Sequence, residues 1–514
     1  MAACKRMTLE RVRAARSLVG GTVRRFAVDA GAYFLTMLVP AVTNLLSTLV
    51  FTRWLVPEVY GAYSLINSLV APATVLAAEW AAQPIGRFYS EFQVQNRMVT
   101  YRAVVGRVLA VSVSAAAAMA AVLAIYGLPA WGMSAVVAAA LWLPFEAASA
   151  VVVPILPASM DVAAHRRYTA GRAVLRLVFC VVLVWTISPS VEPLLWGTAL
   201  SALVMFVPLW REVNAHMEPA SHGPVVGRQQ RDGGPIRQEL KRFAAYGLPM
   251  MGWFFGAQLL GVGDRYVISV FLGADAVGVY SASYQILTGI GGLLSAPVIF
   301  AAFPIVMRLS AEGRSSDVRS GIGEMTGWYL FLGCGVTGAL ALLAPLLFSI
   351  VLGPAFYGGW IITGPVMAGL VLWNVSMLAH KSLELGERTH QMMLAVLGAA
   401  VFNLGANLVA VPLLGYVGAA YTTLLSYGLY FFLVCWMARR TPIGCPMPWQ
   451  GMAVMVAASA LAYALAIRIG GMGFVHIMVR LVLFATIYVL LCFAYLNRNR
   501  RHTGGFSWGA LEAG

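Results

Sequence analysis

The sequence predicts an all-α polytopic membrane protein of about 14 transmembrane helices. They form two pseudo-symmetric six-helix lobes followed by a C-terminal helix pair. Three observations carry this. The chain is 60% hydrophobic and 11% charged, whereas a soluble domain carries about 25% charged residues. Its apolar runs approach the ~20 residues that a bilayer core asks of a helix. Runs such as SVSAAAAMAAVLAIYG and ATIYVLLCFAYL also lack the alternation of a transmembrane barrel strand. Finally, LVPEVYGAYS and LGADAVGVYS lie 217 positions apart and match at Leu55/Leu272, Glu58/Asp275, Gly61/Gly278, Tyr63/Tyr280 and Ser64/Ser281. Each joins two long apolar segments, as expected of related transporter halves.

The spans follow in order. Span 28–52 holds Pro40 and stops before Arg53. Span 60–83 starts inside the first copy of the repeat, holds Pro72 and ends on Gln83. Spans 106–126 and 132–156 are joined by Gly127–Ala130, near the minimum for a helical hairpin, and the second carries Pro144 and Pro154. Spans 173–188 and 193–210 complete six. Span 244–271 follows a hydrophilic linker and holds Pro249; span 278–306 starts inside the second copy and holds Pro297 and Pro304. Spans 326–348 and 360–379 come next, the latter with Pro365. Spans 391–412 and 416–437 meet at Pro412–Gly415. After TPIGCPMPW, spans 450–468 and 476–496 fall outside the repeat and read as an appended pair. The 51 glycines and 24 prolines let membrane helices kink and pack closely.

This reading divides the chain into a basic cytoplasmic segment 1–27, an N-lobe 28–210, a linker 211–243, a C-lobe 244–437, helices 13 and 14 in 438–496, and a cytoplasmic tail 497–514. The net charge is +15, and 31 of the 35 Lys and Arg fall in the tails, in alternate loops or in the helix turns beside them. The positive-inside rule then puts both termini in the cytoplasm. The basic balance needs no nucleic-acid partner. The first 26 residues lack an apolar core, so they do not read as a removable signal peptide. They suit a surface helix on anionic headgroups or a basic tail. Six scattered cysteines show no ligand spacing, so no disulfide, metal or cofactor is expected.

Four stretches carry a family signature. They are TRWLVPEVYGAYSL, YGLPMMGWFFGAQLLGVGDRYVISVFLGADAVGVYSASYQIL, LLAPLLFSIVLGPAFYGGW and LELGERTHQMMLAVLGAAVFNLGANLVAVPLLGYVGAAYTTLLSYG. Together they resemble the oligosaccharide flippases, the Wzx-type polysaccharide transport proteins. That family shares a superfamily with the multidrug and toxin extrusion exporters and the peptidoglycan-precursor flippase. The resemblance runs over about residues 30–437, and between 84 and 210 it rests on hydropathy and charge placement alone. It implies the exporter-superfamily fold and an inner-membrane transporter in bacteria. Its substrate would be an undecaprenyl-diphosphate-linked oligosaccharide, moved by alternating access from the cytoplasmic to the periplasmic leaflet. A polysaccharide polymerase and co-polymerase are the partners such a role brings, for exopolysaccharide, capsule or O-antigen assembly.

The physical demand on such a protein is severe. Each unpaired hydroxyl in bare hydrocarbon costs roughly 2–7 kcal/mol, so the sugar head needs a polar, partly cationic cavity. The candidates for that cavity are Arg53, Asp264, Arg265, Gln258, Asn44, Asn67, Arg172, Arg176, Asn403 and Asn407. Arg53 and Arg265 suit the diphosphate; the alternatives are headgroup snorkelling for Arg53 and an ion pair with Asp264 or Glu79 for Arg265. Asp264 and Arg265 point about 100° apart on a helix, which argues against pairing with each other. Arg172 and Arg176 share a face of the fifth helix, as diphosphate contacts or as positive-inside anchors. Asn403 and Asn407 share a face, as do Gln258 and Arg265; Asn44 and Asn67 add polarity to helices 1 and 2. Amides suit sugar hydroxyls and serve equally as interhelical glue. Glu79, Glu146 and Asp264 are candidates for ion coupling, since burial raises a carboxylate's proton affinity. For Glu79 and Glu146 the alternative is a packing partner for an arginine such as Arg172 or Arg176.

Two other functions fit less well. A small-molecule exporter of the same superfamily usually has 12 helices and few basic cavity residues. A membrane glycan polymerase or ligase, an enzyme, needs a sizeable periplasmic loop that the chain lacks. No GxxxxGK[ST] phosphate loop occurs, so nucleotide hydrolysis is not the direct driver.

Overall fold

The computed structural model describes residues 38–218, 236–386, 388–471 and 473–503. The segment 1–27 and most of the linker and tail lie outside them. Helix α1 occupies 38–54. There follow α2 (Pro57–Val94), α3 (Met98–Val152), α4 (Ile155–Ala158), α5 (Val162–Thr186), α6 (Val191–His216), α7 (Ile236–Val262), α8 (Asp264–Ala311) and α9 (Ser315–Val351). A 3-10 turn, Pro354–Ile362, leads into α10 (Thr363–Ala379) and α11 (Lys381–Leu385). The chain closes with α12 (Thr389–Leu414), α13 (Tyr416–Ala438), α14 (Trp449–Ala466) and α15 (Phe474–Thr503). No strand occurs among the described residues.

Two of these helices are hairpins. Within α8, Gly273 takes φ +82°, a left-handed conformation that glycine tolerates. Tyr280 Oη donates to Asp264 Oδ2 at 2.5 Å and Arg265 Nε to Ser281 Oγ at 3.1 Å. A straight helix would hold residues sixteen apart at about 24 Å, so the chain reverses at Gly273. Gly132, at φ +78°, does the same for α3, splitting it into crossings Met98–Ile125 and Trp131–Ala158. Twelve described spans have the length and apolarity to cross a membrane. One of them, Ile236–Ser295, contains the Gly273 reversal and so makes two crossings. With α1 the total is the fourteen that the sequence predicts.

The helices outrun their apolar spans. Residues 97–107 read as a basic loop, yet only Gln95–Arg97 interrupts the helices there. A helix satisfies its own backbone and can continue into water, where hydropathy no longer marks it. At this basic end Asp161 caps α5: its Oδ1 accepts from the Ala164 amide at 2.8 Å, and its Oδ2 lies 3.1 Å from His216 Nε2. The amide bond first, then the imidazole, holds the Asp161 carboxyl below the usual range.

Three apolar clusters organise the bundle. One joins α2 to α6 with Phe243 of α7. A second joins Trp253 and Leu260 of α7 to helices α8 through α15. The third draws on both halves, placing Phe51, Leu55 and Tyr60 with Val277, Tyr280, Phe348 and Phe356. Helix α7 therefore packs its first turns against one cluster and its last turns against another. Between them Pro249 interrupts its hydrogen bonding. A Cβ on Gly247 would sit 1.7 Å from the Trp80 carbonyl oxygen, so only glycine allows this approach. Gly247→Ala is expected to cost at least ~1–3 kcal/mol by overpacking, seen as a lower unfolding temperature in detergent. Gly261→Ala, where a Cβ meets open space, should leave that temperature unchanged.

Candidate functional site

A polar cavity of about 270 Å³ opens where α1, α2, α5, α7 and α8 converge. Helix α2 presents Tyr60, Tyr63, Ser64, Asn67, Ser68 and Ala71 to it, a spacing that follows one helical face. Helix α1 adds Asn44, Ser47, Thr48 and Phe51; α5 adds Arg176 and Cys180; α7 adds Gln258 and Val262; α8 adds Arg265, Ser281 and Gln285. Two lining residues are arginine and none is Asp or Glu.

Both guanidinium groups are held by neutral partners. Arg176 donates to Asn44 Oδ1 across α5 and α1. Arg265 donates through Nε to Ser281 Oγ and through a terminal nitrogen to the Gly261 carbonyl at 3.2 Å. It also lies 5.3 Å from the centre of the Tyr284 ring, a cation–π arrangement. An anion entering the cavity would meet two cations with no competing carboxylate on the wall.

Five of the candidates from sequence, Asn44, Asn67, Arg176, Gln258 and Arg265, line this cavity. The others lie elsewhere. Asp264 points into the bundle, 1% exposed, where Tyr280 Oη and, at 3.4 Å, Thr423 Oγ1 donate to one oxygen. Its second oxygen, Oδ1, has no hydrogen-bond partner. Asp264 and Arg265 make no ion pair: Asp264 accepts from Tyr280 and Arg265 donates to Ser281, in keeping with their 100° separation. Asn403 and Asn407 are fully buried glue: Asn407 Nδ2 donates to Asn403 Oδ1, Asn403 Nδ2 to Ser426 Oγ, and Thr422 Oγ1 to Asn407 Oδ1. Arg172 pairs with Glu146, which also accepts from Trp142 Nε1 at 2.8 Å. Glu79 is half-buried and accepts from Gln83 Nε2 at 3.0 Å, without an arginine. Arg53 is exposed at the far end of α1 and donates to the Ile350 and Val351 carbonyls at the end of α9.

Sequence reading missed the hydroxyl wall: Thr48, Ser64, Ser68 and Ser281. The signal was present, because Ser64 and Ser281 are equivalent positions of the repeat and both line the cavity.

Two further clefts are present. One, of about 320 Å³, runs between α1 and α8 past Val42, Leu45, Ile286 and Leu293, and shares Asn44 and Gln285 with the polar cavity. The other, of about 380 Å³, begins one turn along α7 at Met250, Trp253 and Phe254 and reaches Gln83, His380, Lys381 and Glu384.

Residues 22–310, more than half of the chain, match the family described as polysaccharide biosynthesis protein. The chain belongs to that family. A curated relative, an uncharacterised membrane protein of Methanocaldococcus jannaschii, is 20% identical over 205 residues. That match spans 40% of this chain and 40% of the relative. Among solved structures, the lipid II flippase MurJ in an inward closed conformation superposes with a TM-score of 0.69 at 11% identity, covering 92% of this chain and 99% of its own. An inward-facing multidrug resistance MATE family transporter of the MOP superfamily gives 0.58 at 15% identity, covering 79% and 97%. At these identities the likeness is one of fold: this member of the polysaccharide biosynthesis family has the architecture of flippases and exporters.

The Arg172–Glu146 pair tests whether a charge outside the cavity is structural. Glu146→Ala strands a half-buried guanidinium and should cost less than the ~3–5 kcal/mol of breaking a fully buried pair, about 1–3 kcal/mol. The double variant Glu146→Ala/Arg172→Leu should recover much of that in thermal unfolding.

Proposed function

We propose that this protein is a flippase for an undecaprenyl-diphosphate-linked oligosaccharide, moving it from the cytoplasmic to the periplasmic leaflet of a bacterial inner membrane. The observation that carries the reading is the acid-free cavity with Arg176 and Arg265 on its wall. A lone arginine at mid-bilayer costs about 2.5–3.5 kcal/mol on insertion scales. Two of them without carboxylate partners make sense in a wet chamber that receives an anion. The diphosphate would replace Asn44 on Arg176 and Ser281 on Arg265, while amides and hydroxyls of α1 and α2 exchange with sugar hydroxyls. The cleft between α1 and α8 supports the same reading, since it gives a polyprenyl tail an apolar path from the bilayer to the head group.

In this reading the basic end is cytoplasmic and both termini lie there. Lobes 28–210 and 244–437 rock about the cavity, with 211–243 as linker and 438–496 as the appended pair. The family supports a place beside a polymerase and co-polymerase. The connections at the other end are short among the described residues, the one at 352–362 being mostly a 3-10 turn, which leaves little room for the periplasmic catalytic loop of a polymerase or ligase. The exporter reading lacks a comparable argument, because a diphosphate uses both arginines and a small cation would be repelled by them.

Asp264 is the coupling residue in this proposal. It backs onto the helix turn that carries Arg265, and its Oδ1 is free for a proton or another cation. Occupancy there changes the field at the adjacent cavity cation.

Loss of the protein should leave the lipid-linked repeat on the cytoplasmic leaflet, read by leaflet-specific labelling. An unchanged leaflet distribution with lost polymer would point to an enzyme instead. Arg176→Ala/Arg265→Ala should reproduce the loss at normal membrane abundance, with each single variant at least ~tenfold slower, the worth of one charge-assisted contact. Asp264→Asn should reach the membrane and export in a manner insensitive to ionophores; full, gradient-dependent export would exclude it as the coupling group.

A further inference from the structure

The two copies of the repeat touch each other. A Cβ on Gly61 would lie 1.9 Å from the Ala274 carbonyl oxygen, and a Cβ on Gly278 would lie 2.0 Å from the Pro57 carbonyl oxygen. Residues 57 and 274 are equivalent under the same 217-residue offset that relates Gly61 to Gly278. The contact is therefore reciprocal: each glycine receives the first-turn carbonyl of the other copy. Such close backbone approach admits no side chain. Beside it, the Gly353 amide donates to Thr52 Oγ1 at 3.1 Å, and Tyr60 meets Phe356 edge-on at 5.8 Å.

Arg53 completes the set. Its guanidinium reaches the Ile350 carbonyl at 2.5 Å and the Val351 carbonyl at 3.0 Å. These are among the last carbonyls of α9, which have no partner within the helix and sit at its negative end. All of these contacts run from 52–61 on one side to 274–278 or 350–356 on the other. Immediately below them lie Phe51, Tyr60, Ser64 and Ser281 of the polar cavity wall.

We propose that the paired repeat copies are the outer gate of the cavity and that Arg53 is its latch. Gly61 and Gly278 set how tightly the two lobes close; Arg53 exchanges the α9 carbonyls for water when they part. The gate rests on the transport reading above and is indifferent to the cargo. It also accounts for an exposed arginine that faces no cavity.

Cys180 lines the cavity just inside this closure and is 2% exposed. It serves as the reporter. A membrane-impermeant maleimide is applied from the outer side of intact cells, and the labelled peptide is identified by mass. Wild-type Cys180 should label slowly. Arg53→Ala should raise its rate about tenfold, the population shift expected from losing a charge-assisted bond across the gate. Arg53→Lys, which keeps the charge, should fall between. Gly61→Ala should raise it as well by wedging the lobes apart. Unchanged Cys180 labelling in Arg53→Ala and Gly61→Ala, with normal membrane abundance, would overturn the gate. The readout needs no lipid-linked substrate. Fast labelling with normal leaflet distribution in the Arg176→Ala/Arg265→Ala variant would keep the gate and reject the cargo.

Discussion

A charge or an unpaired polar group in hydrocarbon costs several kcal/mol, and the arginines of the spans answer that cost in three distinct ways. Arg172 is neutralised by Glu146. Arg53 and Arg480 cap helix ends, the latter on the Ile469 and Gly471 carbonyls after α14. Arg176 and Arg265 take neither solution, since their partners are an amide, a hydroxyl and a carbonyl. A pair or a cap is complete in itself. A guanidinium on neutral partners keeps most of its field, and that field acts on whatever enters the cavity. The site is thus recognised by the two cations whose hydrogen-bond partners are neutral.

The same logic explains what the sequence made legible. Membrane helices announce themselves because hydrocarbon forbids open backbone, so the fourteen crossings and the reversal near the second repeat copy were readable without coordinates. Helix ends were not: α2 and α3 run on into water, where no hydropathy step marks them. Residues on a cavity wall were legible only in part. Helical spacing put Gln258 and Arg265 on one face, as it did Asn403 and Asn407, yet the first pair faces the cavity and the second is sealed between α12 and α13. Spacing fixes which residues share a face; the neighbouring helix decides whether that face is wet. Arg53 shows the limit from the other side, because the α9 carbonyls it caps lie 297 and 298 positions away.

Helix α7 gives the two halves their mechanical relation. Its first turns are buried with Phe88 and Phe92 against α2, and Arg242 ties them by an ion pair to Glu91 at 2.6 Å. Its last turns belong to the cluster of Trp253, Tyr430 and Trp373, with Trp253 Nε1 donating to Tyr430 Oη at 3.1 Å. The segment between carries Gly247, Pro249 and Gly252; Gly247 approaches the Trp80 backbone and Gly252 the Met393 side chain. A helix anchored at each end and weakened in the middle bends there when its anchors move apart. Gln258, beyond the weak point, then travels with the second set of helices and changes its position relative to Asn67 and Arg176.

The same geometry ties Asp264 to both the cavity wall and the repeat contact. Asp264 and Arg265 are neighbours in sequence, yet one faces a buried cluster of Tyr280 and Thr423 and the other a polar cavity. Tyr280 binds Asp264 and is itself part of the repeat copy whose Gly278 touches Pro57. Any change in the charge of Asp264 therefore acts along two short routes, through one peptide unit to the cavity cation and through one hydroxyl to the reciprocal glycine contact. The α8 hairpin thus brings Asp264, Arg265 and the Gly278 contact within mutual reach. Glu79 is held by Gln83, and Glu146 by Arg172, one turn from the cavity cation Arg176 on α5.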